Sequence, residues 1–355
     1  MRTLIEGWDG HAVVTRHDRA TGTWFFIAVH DPTLGMPVGG CRMKSYPTPE
    51  DGLRDAMRLA EGMTYKWAAI DFPFGGGKGV LAVPHPLVGP EREALLRRFG
   101  RLVDSLNGAF ATGEDLGTTP SDMGIMAEEC RYIMGQSGPE GESADPGPYT
   151  ALGVFTGILV AVRHALGHEG LEGRRVLVQG VGDVGAPLAR LLAGAGAELL
   201  VSDLDAAKAE ALAAEIGAGV VPPEEVYGAE CDVYAPCAVG ATVNSETIPR
   251  MRCHIVAGSA NNQLESESDA DRLHERGILY APDYIVNAGG AIAFGLMHGG
   301  VTDDAELRAR VVRVGDSLAE IFADAAASGE SPAHAARRKA ERVLERARAA
   351  RVDAA

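Results

Sequence analysis

A chain of 355 residues is longer than a single hydrophobic core usually grows, so two domains are expected. A formal net charge of −16 excludes the basic face that a nucleic acid or an anionic membrane would need as a partner. Five cysteines (Cys41, Cys130, Cys231, Cys237, Cys253), an odd number without C-x-x-C spacing, argue for reduced thiols and against a disulfide framework or a zinc site. The opening residues lack the apolar core of a signal peptide, and the longest apolar stretch, Ala151 to Val162, is too short to span a bilayer. A soluble, cytoplasmic protein is expected. The 45 glycines favour a turn-rich α/β architecture over a helical bundle.

Ala12-Val-Val-Thr and Trp24-Phe-Phe-Ile-Ala-Val flank the polar turn Asp18–Gly22, which predicts a hairpin. The glycine-rich stretch from Val38 through Gly39 and Gly40 to Met43 reads as backbone lining a cleft. From Pro49 a helix is expected, with Leu53, Ala56, Met57 and Ala60 on one face. It leads to Lys66, the first residue of K-W-A-A-I-D-F-P-F-G-G-G-K, which ends at Lys78. Lysines are costly to bury, yet the neighbours of these two are apolar. Gly75, Gly76 and Gly77 permit positive φ and a close approach to the backbone. Two partly desolvated cations near each other would lower one another's pKa, a route to a neutral, basic lysine near pH 7. A plain turn with two snorkelling lysines reads equally well from this stretch alone.

After Lys78, Gly79 to Val83 reads as a strand stopped by Pro84, followed by a helix over Glu91–Leu106. Asp115 then lies in a glycine-flanked loop after a short strand, with a helix opening near Ser121. That carboxylate is either a cap or the acid facing the two lysines. Gly135 to Pro148, rich in glycine, proline and acid, is the expected hinge between domains. A long helix over Thr150–Leu166 opens the second domain. The basic run Arg337–Arg351 reads as the solvated face of a C-terminal helix.

The strand Arg175–Gln179 is followed at once by Gly180-Val-Gly182-Asp183-Val184-Gly185, then by a helix over Ala186–Ala195 and a strand ending at Asp203. G-x-G-x-x-G between strand and helix, with an acid at the next strand's tip, predicts a Rossmann dinucleotide site. Asp203 would accept from the adenosine ribose and repel a 2′-phosphate, favouring NAD over NADP, and Asp205 adds to that repulsion. Asp183 should point to solvent, away from the phosphates. Three further strands, starting at Asp232, His254 and Ile278, end in small or amide residues. Cys237, Ala238, Asn261, Asn262 and Asn287 thereby become candidate contacts at the carboxyl ends of a parallel sheet, with a plain capping or turn role equally open for each asparagine.

The motifs V-G-G-C-R-M, G-M-T-Y-K, P-F-G-G-G-K-G-V, E-D-L-G-T, Q-G-V-G-D-V-G, A-P-C-A, A-G-S-A-N-N-Q-L and Y-A-P-D-Y-I-V-N-A-G-G run in order from about Val38 to Gly290. Together they resemble the NAD-dependent glutamate/leucine/phenylalanine/valine amino-acid dehydrogenases, and their wording is most like the leucine enzymes. The resemblance implies an N-terminal α/β substrate, catalytic and oligomerisation domain over residues 1–140, with 325–355 packing back on it through the last helix. A doubly wound Rossmann NAD-binding domain would occupy 141–324. It implies Lys78 as the catalytic lysine and Asp115 as the proton carrier. Lys66 and Asn262 would hold the substrate α-carboxylate, with Thr150 and Asn287 by the nicotinamide. It also implies a homo-oligomer, dimer or octamer, acting on an amino acid and its 2-oxo acid with ammonium.

Val38, Gly39 and Gly40 supply no cation for a side-chain carboxylate, which argues against glutamate. Family likeness places Gly113, Ala291 and Phe294 around the substrate side chain. The motif wording favours leucine, valine or isoleucine, whereas Gly113 and Ala291 look more like the phenylalanine enzymes and leave phenylalanine, even tryptophan, open. A 2-hydroxy-acid dehydrogenase would use a histidine–acid pair, and His85, His164, His168 and His254 read as ordinary residues. A non-catalytic nucleotide-binding protein would be expected to lack one of Lys66, Lys78 or Asp115.

Overall fold

The computed structural model describes residues 1–135 and 145–353, with side chains described as far as Arg351. The chain divides into two compact units, Met1–Asp145 with Ala340–Ala355, and Pro146–Lys339. Most of the expected hinge, residues 136–144, lies outside the described residues. Residues 325–339, expected with the first domain, belong instead to the second unit, and the return begins only at Ala340.

In the first unit, helix α1 (Arg2–Glu6) precedes β1 (Ala12–Asp18) and β2 (Thr23–Asp31), which form the foreseen antiparallel hairpin with Ala12 opposite Val29. Asp18 closes the turn by accepting from the Thr21 hydroxyl at 2.7 Å. The glycine-rich stretch expected as cleft lining is a strand, β3 (Pro37–Lys44). Helix α2 (Pro49–Ala69) opens on a reciprocal Thr48–Asp51 capping box with proline in its first turn. Its foreseen stripe of Leu53, Ala56, Met57 and Ala60 is buried.

Lys78 lies in β4 (Gly75–Ala82), and here the expectation of a positive-φ turn fails. Gly75, Gly76 and Gly77 are extended, and their reason is packing rather than dihedral freedom. A Cβ on Gly76 would sit 1.9 Å from the Thr64 hydroxyl of α2, so only glycine lets helix and strand approach this closely. Helix α3 (Gly89–Asp104), β5 (Ala111–Glu114) and helix α4 (Pro120–Ala127) complete the unit.

The sheet runs β1-β2-β4-β3-β5, with β4 antiparallel to β2, and β3 parallel to both β4 and β5. Phe26, Ala28 and Val80 pack on one face with Leu53, Ala56 and Met57 of α2. The other face carries Phe25, Leu81, Leu95, Phe99 and Phe110. Each of the larger side chains among these, the valine, leucines, methionine and phenylalanines, contributes roughly 1.5–3 kcal/mol by leaving water.

The second unit starts with α5 (Gly147–Leu166), longer than its apolar core suggested. By length and composition it is long enough to cross a membrane, which corrects the expectation that the stretch is too short. Here it is a core helix: Ala151, Val154, Ile158, Ala161 and Val162 are fully buried. Then follow β6 (Arg175–Gln179), α6 (Gly185–Gly194), β7 (Glu198–Ser202), α7 (Ala206–Ile216), β8 (Gly219–Val220), β9 (Val233–Pro236) and β10 (Ile255–Val256). Helix α8 (Ser268–Glu275), β11 (Leu279–Tyr280), α9 (Asp283–Val286), α10 (Gly289–His298), α11 (Asp304–Val311) and α12 (Val314–Ser328) complete it. Helix α5 packs against α6, α10 and α12.

All six strands are parallel, in the order β11-β10-β9-β6-β7-β8. This is the doubly wound Rossmann order, whose switch point lies between β6 and β9. The last helix, α13 (Pro332–Asp353), passes from the second unit into the first. Its Arg337, Arg342, Arg346, Arg348 and Arg351 are exposed, as the solvated basic face predicts, while Ala335, Ala336, Ala340 and Leu344 are buried. Lys339, in the same run, departs from that reading, being buried and donating to the Ser317 hydroxyl at 3.2 Å.

Candidate active site

In the first unit, Lys78 sits directly opposite Ala28 in the sheet and two residues before Val80. The two-residue period of a strand therefore turns it to the face that α2 covers. Its side chain is 6% exposed, and its ammonium lies 3.1 Å from Oδ2 of Asp115, in the loop leaving β5. Gly40 leaves the room for this approach, since a Cβ there would lie 2.7 Å from Asp115 Cβ and 3.3 Å from Lys78 Nζ. The Asp115 loop is fixed from three sides. Thr118 Oγ1 accepts from the Asp115 amide at 3.0 Å and bonds the Cys41 carbonyl at 2.9 Å. Arg92 of α3 donates to the Gly117 carbonyl at 2.8 Å and to Asp122 of α4 at 2.6 Å.

The second cation beside this carboxylate is Arg42, a residue that sequence reasoning passed over although it stands in the quoted V-G-G-C-R-M motif. Arg42 Nε donates to the same Asp115 oxygen at 2.8 Å, and its side chain is 14% exposed. Burial pushes Lys78 below the ordinary lysine range, Asp115 opposes this, and the nearby guanidinium of Arg42 adds to it. For Asp115 burial would raise the pKa, but Lys78 and Arg42 outweigh it and hold the carboxyl below the usual range. The arrangement is an amine that gives up its proton readily, next to a carboxylate held ionised.

The other substrate candidates are divided between the units. Lys66 is half-buried in the last turn of α2, one residue before the buried Trp67. Val38 and Gly39 turn their carbonyls inward, accepting from Trp67 Nε1 at 3.2 Å and from Thr112 Oγ1 at 2.9 Å. Gly113 pairs with Gly40 across β3 and β5. Asn262 belongs to the second unit, at φ +52°, where its carbonyl accepts from the Ala241 amide at 2.7 Å. Ala291 and Phe294 are half-buried on α10.

The nucleotide turn joins β6 to α6. Gly180 takes φ +93°, and a Cβ on Gly185 would fall 1.9 Å from the Gly180 carbonyl, so both positions require glycine. A Cβ on Gly182 would meet nothing, so the tip of the turn is open at the N-terminus of a ten-residue helix. That fits a pyrophosphate. Asp183 is exposed, as expected, and Val184 is half-buried. Asp203 accepts from the Val181 amide at 2.8 Å and the Asp205 amide at 2.9 Å. Burial alone would raise its pKa, but those two amides hold it below the usual range. The acid read as a ribose ligand thus also braces the glycine turn. Asp205, read as added repulsion, caps α7.

Ala238 packs under Gly180, whose Cβ would lie 2.8 Å from it, and the Cys237 amide donates to the Gln179 carbonyl at 2.6 Å. Burial pushes the Cys237 thiol up. Asn287 donates to Asn261 Oδ1 at 2.7 Å and to the Ser259 carbonyl at 3.2 Å, which ties two of the expected contacts together. Thr150 donates to the carbonyl of Pro146, the N-cap of α5, at 3.0 Å.

A doubly wound sheet with a dinucleotide-type turn, and a separate unit carrying a buried lysine–aspartate pair, define an oxidoreductase of the dehydrogenase class. Residues 12–132 match the family model for the Glu/Leu/Phe/Val dehydrogenase dimerisation domain, and residues 201–350 match that for Glutamate/Leucine/Phenylalanine/Valine dehydrogenase. The chain belongs to this family of amino-acid dehydrogenases. It is 43% identical to the leucine dehydrogenase of Bacillus cereus over 95% of this chain and 91% of that one. It is 39% identical to the phenylalanine dehydrogenase of Lysinibacillus sphaericus over 94% and 88% respectively. The crystal structure of L-tryptophan dehydrogenase from Nostoc punctiforme superposes with a TM-score of 0.86 at 39% identity, covering 98% of this chain and 99% of that one.

Proposed function

We propose that the protein catalyses the reversible, NAD-dependent oxidative deamination of an apolar L-amino acid, with leucine, valine or isoleucine as the substrates its motifs favour. The observation that carries this reading is the buried contact of Lys78 with Asp115, flanked by Arg42. The balanced reaction is amino acid + NAD⁺ + water to 2-oxo acid + ammonium + NADH + H⁺. NAD, held at Gly180, Gly182, Gly185 and Asp203, would supply the hydride acceptor. Asp115 takes a proton from the substrate ammonium, so that Cα can give up hydride and leave an iminium. Neutral Lys78 removes a proton from water as its oxygen attacks the iminium carbon. Asp115 then returns its proton to the nitrogen, the C–N bond breaks, and ammonia leaves. Of the two protons left on Lys78 and the carbinol hydroxyl, one departs on ammonium and one goes to solvent. Lys66 supplies a fixed positive charge for the α-carboxylate, which orients the Cα–H bond.

NADH formation with a panel of L-amino acids and 2-hydroxy acids tests this. Turnover of 2-hydroxy acids in place of amino acids, or of neither, would reject it. We place the enzyme in the cytoplasm as a homo-oligomer, dimer or octamer; the match of residues 12–132 to a dimerisation domain supports the self-association.

A second reading, an aromatic amino acid as substrate, is favoured by Gly113. A Cβ added there would meet Met134 at 3.5 Å, an ordinary contact at an ordinary φ, so the native glycine is spare volume and not a packing need. Gly113→Ala is expected to lower kcat/KM for phenylalanine and tryptophan relative to leucine about tenfold or more, since one methyl is worth ~1–3 kcal/mol in such a pocket. A ratio unchanged by the substitution would remove Gly113 from the side-chain pocket. For the nucleotide, Asp203→Asn keeps an acceptor for the Val181 amide but removes the charge. The NAD-over-NADP preference should fall roughly tenfold, as a single lost repulsion of ~1.4 kcal/mol gives, in kcat/KM measured with each nucleotide.

A further inference from the structure

Asp115 receives both of its cations on one oxygen. Lys78 Nζ is 3.1 Å from Oδ2 and Arg42 Nε is 2.8 Å from the same atom. Arg42 is in turn held at its far end, where Nη1 donates to Asp55 Oδ2 at 3.0 Å. That oxygen also accepts from the Tyr46 hydroxyl at 2.7 Å, and Asp55 Oδ1 accepts from Arg58 at 2.9 Å. The guanidinium is therefore a planar brace spanning a carboxylate on α2 and the one beyond β5. A lysine at this position could satisfy only one of them. An oxygen already bonded to two cations is the poorer base of the pair.

We propose that Arg42 is a positioning residue: by holding Oδ2 of Asp115 it leaves Oδ1 as the atom that takes the proton from the substrate ammonium and returns it to the departing ammonia. In the first transfer an N–H bond breaks, its electron pair stays on nitrogen, and an O–H bond forms at Oδ1. The second transfer reverses this, so Asp115 ends unchanged. The inference rests on the deamination reading above.

The charged and titratable groups around Asp115 are Lys78 on β4, Arg42 and the buried Cys41 thiol on β3, the Tyr46 hydroxyl just beyond β3, Asp55 on α2, and Arg92 with Asp122 behind the loop. Burial and Asp55 push the Tyr46 hydroxyl well up, so it stays protonated while Lys78 titrates. Lys66 lies in the last turn of α2 and Glu114 ends β5. Arg42 stays charged: burial works against its charge, but Asp115 and Asp55 more than compensate. Its field is therefore constant while Lys78 titrates. Removing it should make both Lys78 and Asp115 hold their protons more tightly; Asp115 stays ionised above neutrality, and the change at Lys78 moves the rise of activity with pH to the alkaline side.

The test compares wild type with Arg42→Gln, Arg42→Lys and Asp55→Asn, following NADH formation from the L-amino acid that wild type turns over fastest, across neutral to alkaline pH. Arg42→Gln should lower kcat at neutral pH about a hundredfold, shift the rising limb alkaline, and leave KM within roughly threefold. Arg42→Lys should recover part of the limb. Asp55→Asn, which touches Arg42 and not Asp115, should move it the same way by less, and it carries the test if the glutamine variant does not fold. A uniform loss of rate with the limb unmoved, or a rise in KM with kcat intact, would overturn the role of Arg42 and leave the deamination reading standing. A wild-type protein that forms no NADH from any L-amino acid would overturn that reading itself, and this inference with it.

Discussion

Replacing Lys78 by alanine is expected to lower kcat about a thousandfold or more, while NADH still binds within roughly twofold of wild-type affinity. The asymmetry follows from where the groups sit. Lys78 is on β4 of the first unit, whereas the glycine turn and Asp203 belong to the second. Lys78→Arg separates two explanations. It keeps a cation beside Asp115 but cannot act as a base, because a guanidinium does not lose its proton in this range. If the neutral amine is what matters, the arginine variant is nearly as slow as alanine. If it keeps most of the rate, the lysine serves only as a fixed charge. The sign of the pH dependence follows from the same shift. The base form of Lys78 accumulates as pH rises through a pKa below the ordinary lysine value of about 10.4. Wild-type deamination should therefore rise with pH over the alkaline side of neutrality, and the residual activity of Lys78→Ala should lack that limb. Stability is expected to change little. Alanine removes a buried ammonium that was costly to desolvate, and Asp115 retains Arg42 as its partner. Urea midpoints and calorimetric NADH binding on the same preparations supply both controls.

How much of this was legible in the sequence depends on the range of the interaction that fixed each part. The hairpin, the buried stripe of α2 and the strand–turn–helix at Gly180–Gly185 are set by neighbours within about one turn or one strand, and periodicity plus turn chemistry found them. The two-residue strand β8 carries no such pattern, and the loop holding Asp115 depends on Thr118 reaching Cys41, 77 positions earlier. Lys78 and Asp115 stood out because a lysine in an apolar run and an acid in a glycine-flanked loop are each unusual. Arg42 did not, since an arginine in a strand is ordinary until its neighbours across the sheet are known. For the glycines of β4, three in a row leave both a positive-φ turn and a close approach to the backbone open. The cause at Gly76, Thr64 packed against it, lies on the preceding helix and leaves no local mark.

A close approach of backbone to backbone likewise gives Gly39→Ala a large expected effect on stability. A Cβ there would stand 1.8 Å from the Gly77 carbonyl oxygen and 3.2 Å from Met63. The first of these is backbone in the adjacent strand, so no rotamer change relieves it. β3 and β4 would have to separate where Gly39 also accepts from Thr112. Overpacking a well-packed site commonly costs ~1–3 kcal/mol, and a clash with rigid backbone belongs at or beyond the top of that range. A loss of about 3 kcal/mol or more, roughly a hundredfold in the ratio of folded to unfolded protein, is therefore expected in denaturant titrations. Gly113→Ala, on the neighbouring strand, is the matched control, because its added methyl meets only ordinary contacts and should shift the midpoint by less than about 1 kcal/mol. If the two alanines destabilise equally, close packing is not what keeps residue 39 a glycine. If only Gly39→Ala unfolds the chain, the strand that carries Gly40 and Arg42 to Asp115 is held in register by a contact that admits no side chain at all.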